Sequence, residues 1–117
     1  MVGEIISTNN HNQKLEFFLE KSFGIHDLDN IYKFILDKDL IDLIGTMPDK
    51  IYEHFGTYDL SLRLEEKYRD ENWLVVTFLT NHNPKFVLDK LEELEDYFTD
   101  SFEDKFLYNI LFDVDFE

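Results

Sequence analysis

The sequence predicts an α+β fold in which short N-terminal helices are followed by a β-hairpin, an amphipathic helix and a C-terminal strand, with the helices packed on a small sheet. The first observation is a nearly continuous apolar and β-branched run at residues 73–79, typical of a central strand covered on both faces. The second is an amphipathic stretch directly after it. The third is the alternation of apolar and polar residues near the end of the chain.

The first third of the chain is predicted to form two helices after a short lead-in. The first runs from about Gln13 to Phe23, with Asn12 as its cap and Gly24 as its end. The second begins near Asp27 or Asp29 and has apolar residues at helical spacing.

A joint at residues 37–39 separates these helices from two further short ones. Residues 40–44 are expected to form a helical turn that ends at Gly45. Pro48 suits the first turn of another short helix, which Gly56 ends.

The second half of the chain contains the predicted sheet. A strand at residues 58–68 places leucines on one face and polar residues on the other, and a polar turn at 69–72 leads into the central strand. Asn83 caps the next helix, residues 85–98, and Pro84 occupies its first turn. The final strand is predicted from Phe106 onward, and the crossover is right-handed if the two strands are parallel.

Length and composition predict one compact domain over residues 1–117. A hydrophobic content of 44% with 12 Phe, 6 Tyr and 1 Trp favours a folded chain over disorder. The absence of cysteine excludes disulfides, thiolate metal sites and thiol nucleophiles, and it fits a cytoplasmic protein. The N-terminus lacks the pattern of a signal peptide, and no apolar run is long enough for a membrane span.

The charge is strongly negative, with 26 acidic and 11 basic residues and a net charge of −15. Residues 89–117 contain eleven acidic residues and two lysines, which leaves a local net charge of −9. Direct binding to nucleic acid or to an anionic membrane is therefore disfavoured, whereas a basic partner would be attracted. Solubility is the alternative explanation for the charge.

Catalytic and metal-binding patterns are weak. The segment Asn81-His82-Asn83 follows the central strand, where ligands often bind, but these residue types are equally typical of turns and caps. The acidic groups at residues 37–42 and 113–117 could attract Mg²⁺ or Ca²⁺ weakly, yet neither matches an EF-hand loop. No catalytic residue, metal ligand or cofactor is predicted.

The function predicted from these patterns is that of a non-enzymatic acidic module that binds a basic protein, as immunity proteins, antitoxins and inhibitors of nucleic-acid-processing enzymes do. The candidate partner-binding residues are the acids of the predicted helix and the turn after it: Glu92, Glu93, Glu95, Asp96, Asp100, Glu103 and Asp104. One alternative is a homo-oligomeric structural or adaptor domain that associates through the exposed side or the edge of its sheet. A third is a small metal-dependent hydrolase that uses His82 with nearby carboxylates.

Overall fold

The computed structural model describes residues 14–117, which form five helices and one four-stranded mixed sheet. The helices are α1 (14–22 of the described residues), α2 (Leu28–Asp37), α3 (Ile41–Phe55), α4 (Pro84–Phe102) and α5 (Asp104–Asn109). The strands are β1 (Gly24–Ile25), β2 (Leu60–Tyr68), β3 (Glu71–Thr80) and β4 (Ile110–Phe116). The predicted α+β class is confirmed, while the predicted lead-in and the cap at Asn12 lie outside the described residues.

The sheet has the strand order β1-β2-β3-β4, so β3 is an interior strand as predicted. The β2–β3 hairpin is antiparallel, and its turn places Asp70 at φ 53°. β3 and β4 are parallel, the case that the sequence left open, and α4 and α5 connect them. β1 pairs in parallel with β2 through two residues, Gly24 and Ile25.

The helices cover only one face of the sheet. Alternate β3 side chains, those of Leu74, Val76 and Phe78, belong to the hydrophobic core with the inward residues of β2 and β4. The side chains between them lie on the other face, the open face, where Thr77 is partly exposed. Within residues 14–117 the expectation that β3 is covered on both sides is not met by the helices, although Val75 on the open face is only 2% exposed.

The two short helices predicted on either side of Gly45 are a single helix, α3, with Gly45 and Pro48 inside it. Glycine costs a helix interior about 1 kcal/mol and proline about 3 kcal/mol relative to alanine. The continuous apolar stripe of α3 offsets these costs, since Met47 and Ile51 are completely buried. The hydroxyl of Thr46 also donates a hydrogen bond of 2.9 Å to the Asp42 carbonyl near the proline.

The final segment differs from its prediction because residues 104–109 form α5 and not the start of a strand. The apolar alternation does not distinguish the two, since Phe106 and Ile110 are also four residues apart, on one side of a helix. Both are buried, whereas Leu107 and Tyr108 are exposed. From Ile110 onward the predicted strand and its faces are confirmed, except that Phe116 is exposed.

α1 ends at residue 22, close to the predicted end at Gly24, but Gly24 lacks the positive φ of a helix-ending glycine and pairs with Ser61 as the first residue of β1. A Cβ at Gly24 would lie 3.7 Å from the carbonyl oxygen of Leu60, an ordinary contact. This short strand was missed because two residues show no periodicity. Its pairing depends on β2, which lies 35 residues later in the sequence.

Candidate functional site

The predicted acidic surface is present as an exposed stripe along α4. A helix turns about 100° per residue, which places its buried residues, Val87, Leu94 and Phe98, on one side. The acids of α4 lie on the side away from this core and are exposed. We call the following set the acidic stripe: Asp89, Glu92, Glu93, Glu95, Asp96 and Asp100.

Packing and capping place the stripe in a defined orientation. The Phe98 ring lies 5.5 Å from the Phe106 ring and 6.0 Å from the Phe112 ring of β4, centroid to centroid. At the start of α4 the Asn83 side chain accepts a hydrogen bond of 2.9 Å from the Phe86 backbone N–H, as its predicted role as a cap requires. Burial of one side of α4 therefore keeps the opposite, acidic side facing water.

The remaining two candidate residues lie at the corner between α4 and α5. Glu103 has φ 53°, a left-handed backbone conformation that is strained for a residue with a side chain. Its N–H still donates to the Thr99 carbonyl at 2.9 Å, and its own carbonyl accepts from the first turn of α5. This corner directs Glu103 and Asp104 into solvent at the end of the stripe.

The seven candidate carboxylates are poorly neutralised within the described part of the chain. Only Glu93 is in an ion pair there, with Lys90 Nζ at 3.2 Å on the same helix. The nearby Lys105 ammonium lies 2.7 Å from Asp39, so it pairs with a carboxylate outside the candidate set. The negative charges of these carboxylates therefore lie close together, and few cations of the described residues neutralise them.

Glu95 carries the electrostatic signature of this crowding. Partial burial raises its pKa above the ordinary value for a glutamate, and the neighbouring carboxylates of Asp96 and Glu92 raise it further. Each of these causes disfavours the ionised form. The ionised form of Glu95 therefore lowers the stability of the fold, and a cation close to this carboxylate would offset that cost.

A second polar group, on the open face of the sheet, was missed by the sequence reasoning. The Arg63 guanidinium donates to Thr77 Oγ1 at 2.7 Å and to Asp113 Oδ2 at 3.2 Å, and it also contacts Glu65 at 3.2 Å. These residues come from three strands, and only the strand register brings them together. The only available signal was that Arg63 and Asp113 both lie on polar faces of predicted strands.

His82 lies in the loop after β3 and is exposed. Its backbone N–H donates to Thr80 Oγ1 at 3.2 Å, and its ring lies 4.4 Å from the Phe86 ring. No carboxylate of residues 14–117 forms an ion pair with it. Asn81 is also exposed, and the segment serves as a turn and a helix cap. In the described residues His82 therefore lacks the carboxylate partner that acid–base chemistry would need.

Within residues 14–117 the structure contains no cluster of three or more His, Asp or Glu side chains arranged to hold a metal ion. In the same range, no helix has the length and apolar character needed to cross a bilayer. Comparisons of the chain with protein-family models, with curated proteins and with solved structures gave no match.

Proposed function

We propose that this chain is a non-enzymatic protein-binding module that uses the acidic stripe and the α4–α5 corner to bind a basic protein. Immunity proteins, antitoxins and inhibitors of nucleic-acid-processing enzymes are the class whose physical profile it matches. The partner's Lys and Arg side chains would pair with the stripe, and the bound module would block the partner's own anionic substrate by occupying the same surface.

The observation that carries this proposal is the lack of internal compensation. Among the seven exposed candidate carboxylates, Glu93 alone has an ion-pair partner in the described residues. Solubility alone would be served as well by acids interspersed with lysines. A dense set of one sign on a rigid helix produces a directed field, which raises the association rate of a basic partner.

The sign of the field also determines the class of partner. Phosphates of nucleic acid and anionic lipid headgroups would be repelled by this surface, since binding to them requires cations on the protein. A basic protein gains both attraction and the release of the mutual repulsion within the stripe. The mechanism is therefore steric occlusion with electrostatic steering.

The test begins by capturing partners from the native cell at low and high salt and identifying them by mass spectrometry. The association rate of the captured basic protein is then measured with the stripe variant, which combines Glu92→Gln, Asp96→Asn and Asp100→Asn. We expect association to slow at least about tenfold at low salt and much less at high salt.

The matched control combines three substitutions of exposed acids elsewhere, Asp29→Asn, Glu66→Gln and Asp70→Asn. It changes the net charge of −15 by the same three units as the stripe variant does. We expect the control to alter the association rate less than about twofold. An equal loss in both variants, or an affinity that high salt leaves unchanged, would contradict the proposal.

The homo-oligomeric alternative is favoured by one observation, the open face of the sheet. Leu111 is 42% exposed there, and Trp73 is partly exposed. Apolar groups on an uncovered sheet face are suited to association. Light scattering at high protein concentration tests this alternative, and a monomer would exclude it.

A further inference from the structure

The outer edge of β4 is a regular template for strand addition. β3 is the only strand neighbour of β4 in the part of the chain that the structure describes. Seven consecutive residue pairs, from Leu74 with Ile110 to Thr80 with Phe116, join the two strands without a register shift. β4 therefore has neither the bulge nor the proline by which many edge strands prevent pairing.

One hydrogen bond shows which backbone N–H and C=O groups of β4 point to the outer edge. The Glu117 N–H donates to the Thr80 carbonyl at 3.0 Å, so residue 117 and every second residue before it point toward β3. The residues between them direct both N–H and C=O to the outer edge. These residues are Phe112, Val114 and Phe116, and they provide three rungs for another strand.

The flank of α4 opposite α3 carries one exposed apolar side chain, Leu88, together with the carboxylate of Glu95. Lys50 Nζ of α3 lies 4.4 Å above the Tyr97 ring, so Tyr97 marks the α3 side of the helix. Leu88 lies about half a turn away from Tyr97, on the flank opposite α3, and is 66% exposed. Phe116 at the end of β4 is 51% exposed. An added strand would therefore contact the exposed Phe116 ring of β4 on its helix-facing side.

Charge selects which strand can occupy the edge. The open face of β4 carries Asp113 and Asp115, and β4 contains no basic residue. Arg63 pairs with Asp113, while Asp115 has no ion pair among residues 14–117. In a two-fold antiparallel pairing of two β4 strands, carboxylates would lie opposite or diagonal to one another, which is unfavourable. A second copy is disfavoured, and a basic strand is complementary.

We propose that the β4 edge binds an extended segment of the basic partner as a fifth, antiparallel strand, with Lys or Arg facing Asp113 and Asp115 and apolar residues beside Val114 and Phe116. This inference rests on the proposed function and specifies its binding mode. Main-chain hydrogen bonds supply affinity, and the alternating side chains supply specificity.

The test uses a nine-residue peptide of alternating Lys and Val with blocked ends, added to the full chain. Two control peptides carry N-methyl groups either on every Val or on every Lys. In antiparallel pairing the Val N–H groups face β4, so methylation of Val should weaken binding at least about tenfold. Methylation of Lys should change it little. Equal binding of the two methylated peptides, or no binding of the parent, would overturn the inference.

Hydrogen exchange followed by NMR supplies a second readout. The amides of Phe112, Val114 and Phe116 should exchange rapidly in the free protein and slowly with the parent peptide. Slow exchange without peptide, or protection that grows with protein concentration alone, would overturn the inference because another segment would already occupy the edge. The variant Val114→Pro should abolish peptide binding, because proline removes a backbone N–H that points to the outer edge. The variant should still fold, because an edge strand tolerates proline where the N–H faces solvent.

The two proposals fail separately. If the partner binds through the acidic stripe while the edge amides stay unprotected in the complex, strand addition is refuted and the proposed function stands. If the stripe variant binds the partner at the wild-type rate, the electrostatic function fails. If Val114→Pro does not fold, the two methylated peptides still decide the outcome with the unchanged protein.

Discussion

Neutralising Asp96 should stabilise the folded protein, because this carboxylate lies in the middle of the acidic stripe. Glu92 and Asp100 lie four residues to either side of it, and Glu93 lies three residues before it. Side chains at these spacings are neighbours on a helix. Among the described residues no cation pairs with Asp96, and of its three like-charged neighbours only Glu93 has an ion-pair partner, Lys90.

The size of the effect follows from the number of like-charged pairs. Each such pair costs about 0.2–0.5 kcal/mol on a helix. Coulomb's law gives a similar value, about 0.5 kcal/mol for two unit charges about 8 Å apart in water. The substitution Asp96→Asn removes three pairs and should raise the free energy of unfolding by about 1 kcal/mol at low ionic strength. Salt at about 0.5 M should remove most of this gain.

Urea unfolding at low and high salt measures the effect. The matched control is Glu53→Gln on α3, whose exposed carboxylate lies 3.1 Å from Lys50 Nζ. This control loses an attraction, so it should lower the free energy of unfolding by a few tenths of a kcal/mol, about 0.3. An unchanged midpoint for Asp96→Asn at low salt, or a gain that high salt leaves intact, would refute the reasoning about the stripe.

Three further predictions concern α4. Phe98→Ala should lower the free energy of unfolding in urea by about 3–5 kcal/mol, because the ring is completely buried; a loss below about 1 kcal/mol would contradict this packing. Asn83→Ala should lower the free energy of unfolding by about 1 kcal/mol, because the helix loses its cap. Asn83→Asp should restore most of this stability, since aspartate can accept the same hydrogen bond. Glu95→Gln should stabilise by at most about 0.5 kcal/mol at neutral pH. Because the pKa of Glu95 is raised in the folded state, wild-type stability falls as pH rises from about 4.3 through the folded pKa. The stabilisation by Glu95→Gln should therefore vanish below this range. A stabilisation that persists at lower pH would contradict the assignment to the charge of Glu95.

Much of the second half of the chain could be predicted because its local signals agree. Asn83 and Pro84 begin α4 as their chemistry requires, and Leu60, Leu62 and Leu64 share the core side of β2. α3 shows where such signals fail. Gly45 and Pro48 are local breakers, but burial of Met47 outweighs them, and burial depends on residues distant in the sequence.

The sequence predicted which acidic residues form the candidate site, but not which cations lie near them or pair elsewhere. Helical periodicity predicts four of the seven exposed carboxylates, and the polar turn predicted after residue 98 accounts for Asp100, Glu103 and Asp104. That Lys105 pairs with Asp39 and not with the stripe could not be predicted, since 66 residues separate the two. The network of Arg63 with Asp113 spans 50 residues for the same reason.

By itself the sequence determined the fold class, the core-facing sides of α4 and β2 and the sign of the charge on α4, because periodicity and composition are local properties. The tertiary structure decided which of the sheet's faces and edges the helices and strands of residues 14–117 leave uncovered. It placed helices on one face, left β4 at the edge and turned Phe112, Val114 and Phe116 toward it. Strand order and register depend on contacts between distant segments, and no local pattern specifies them.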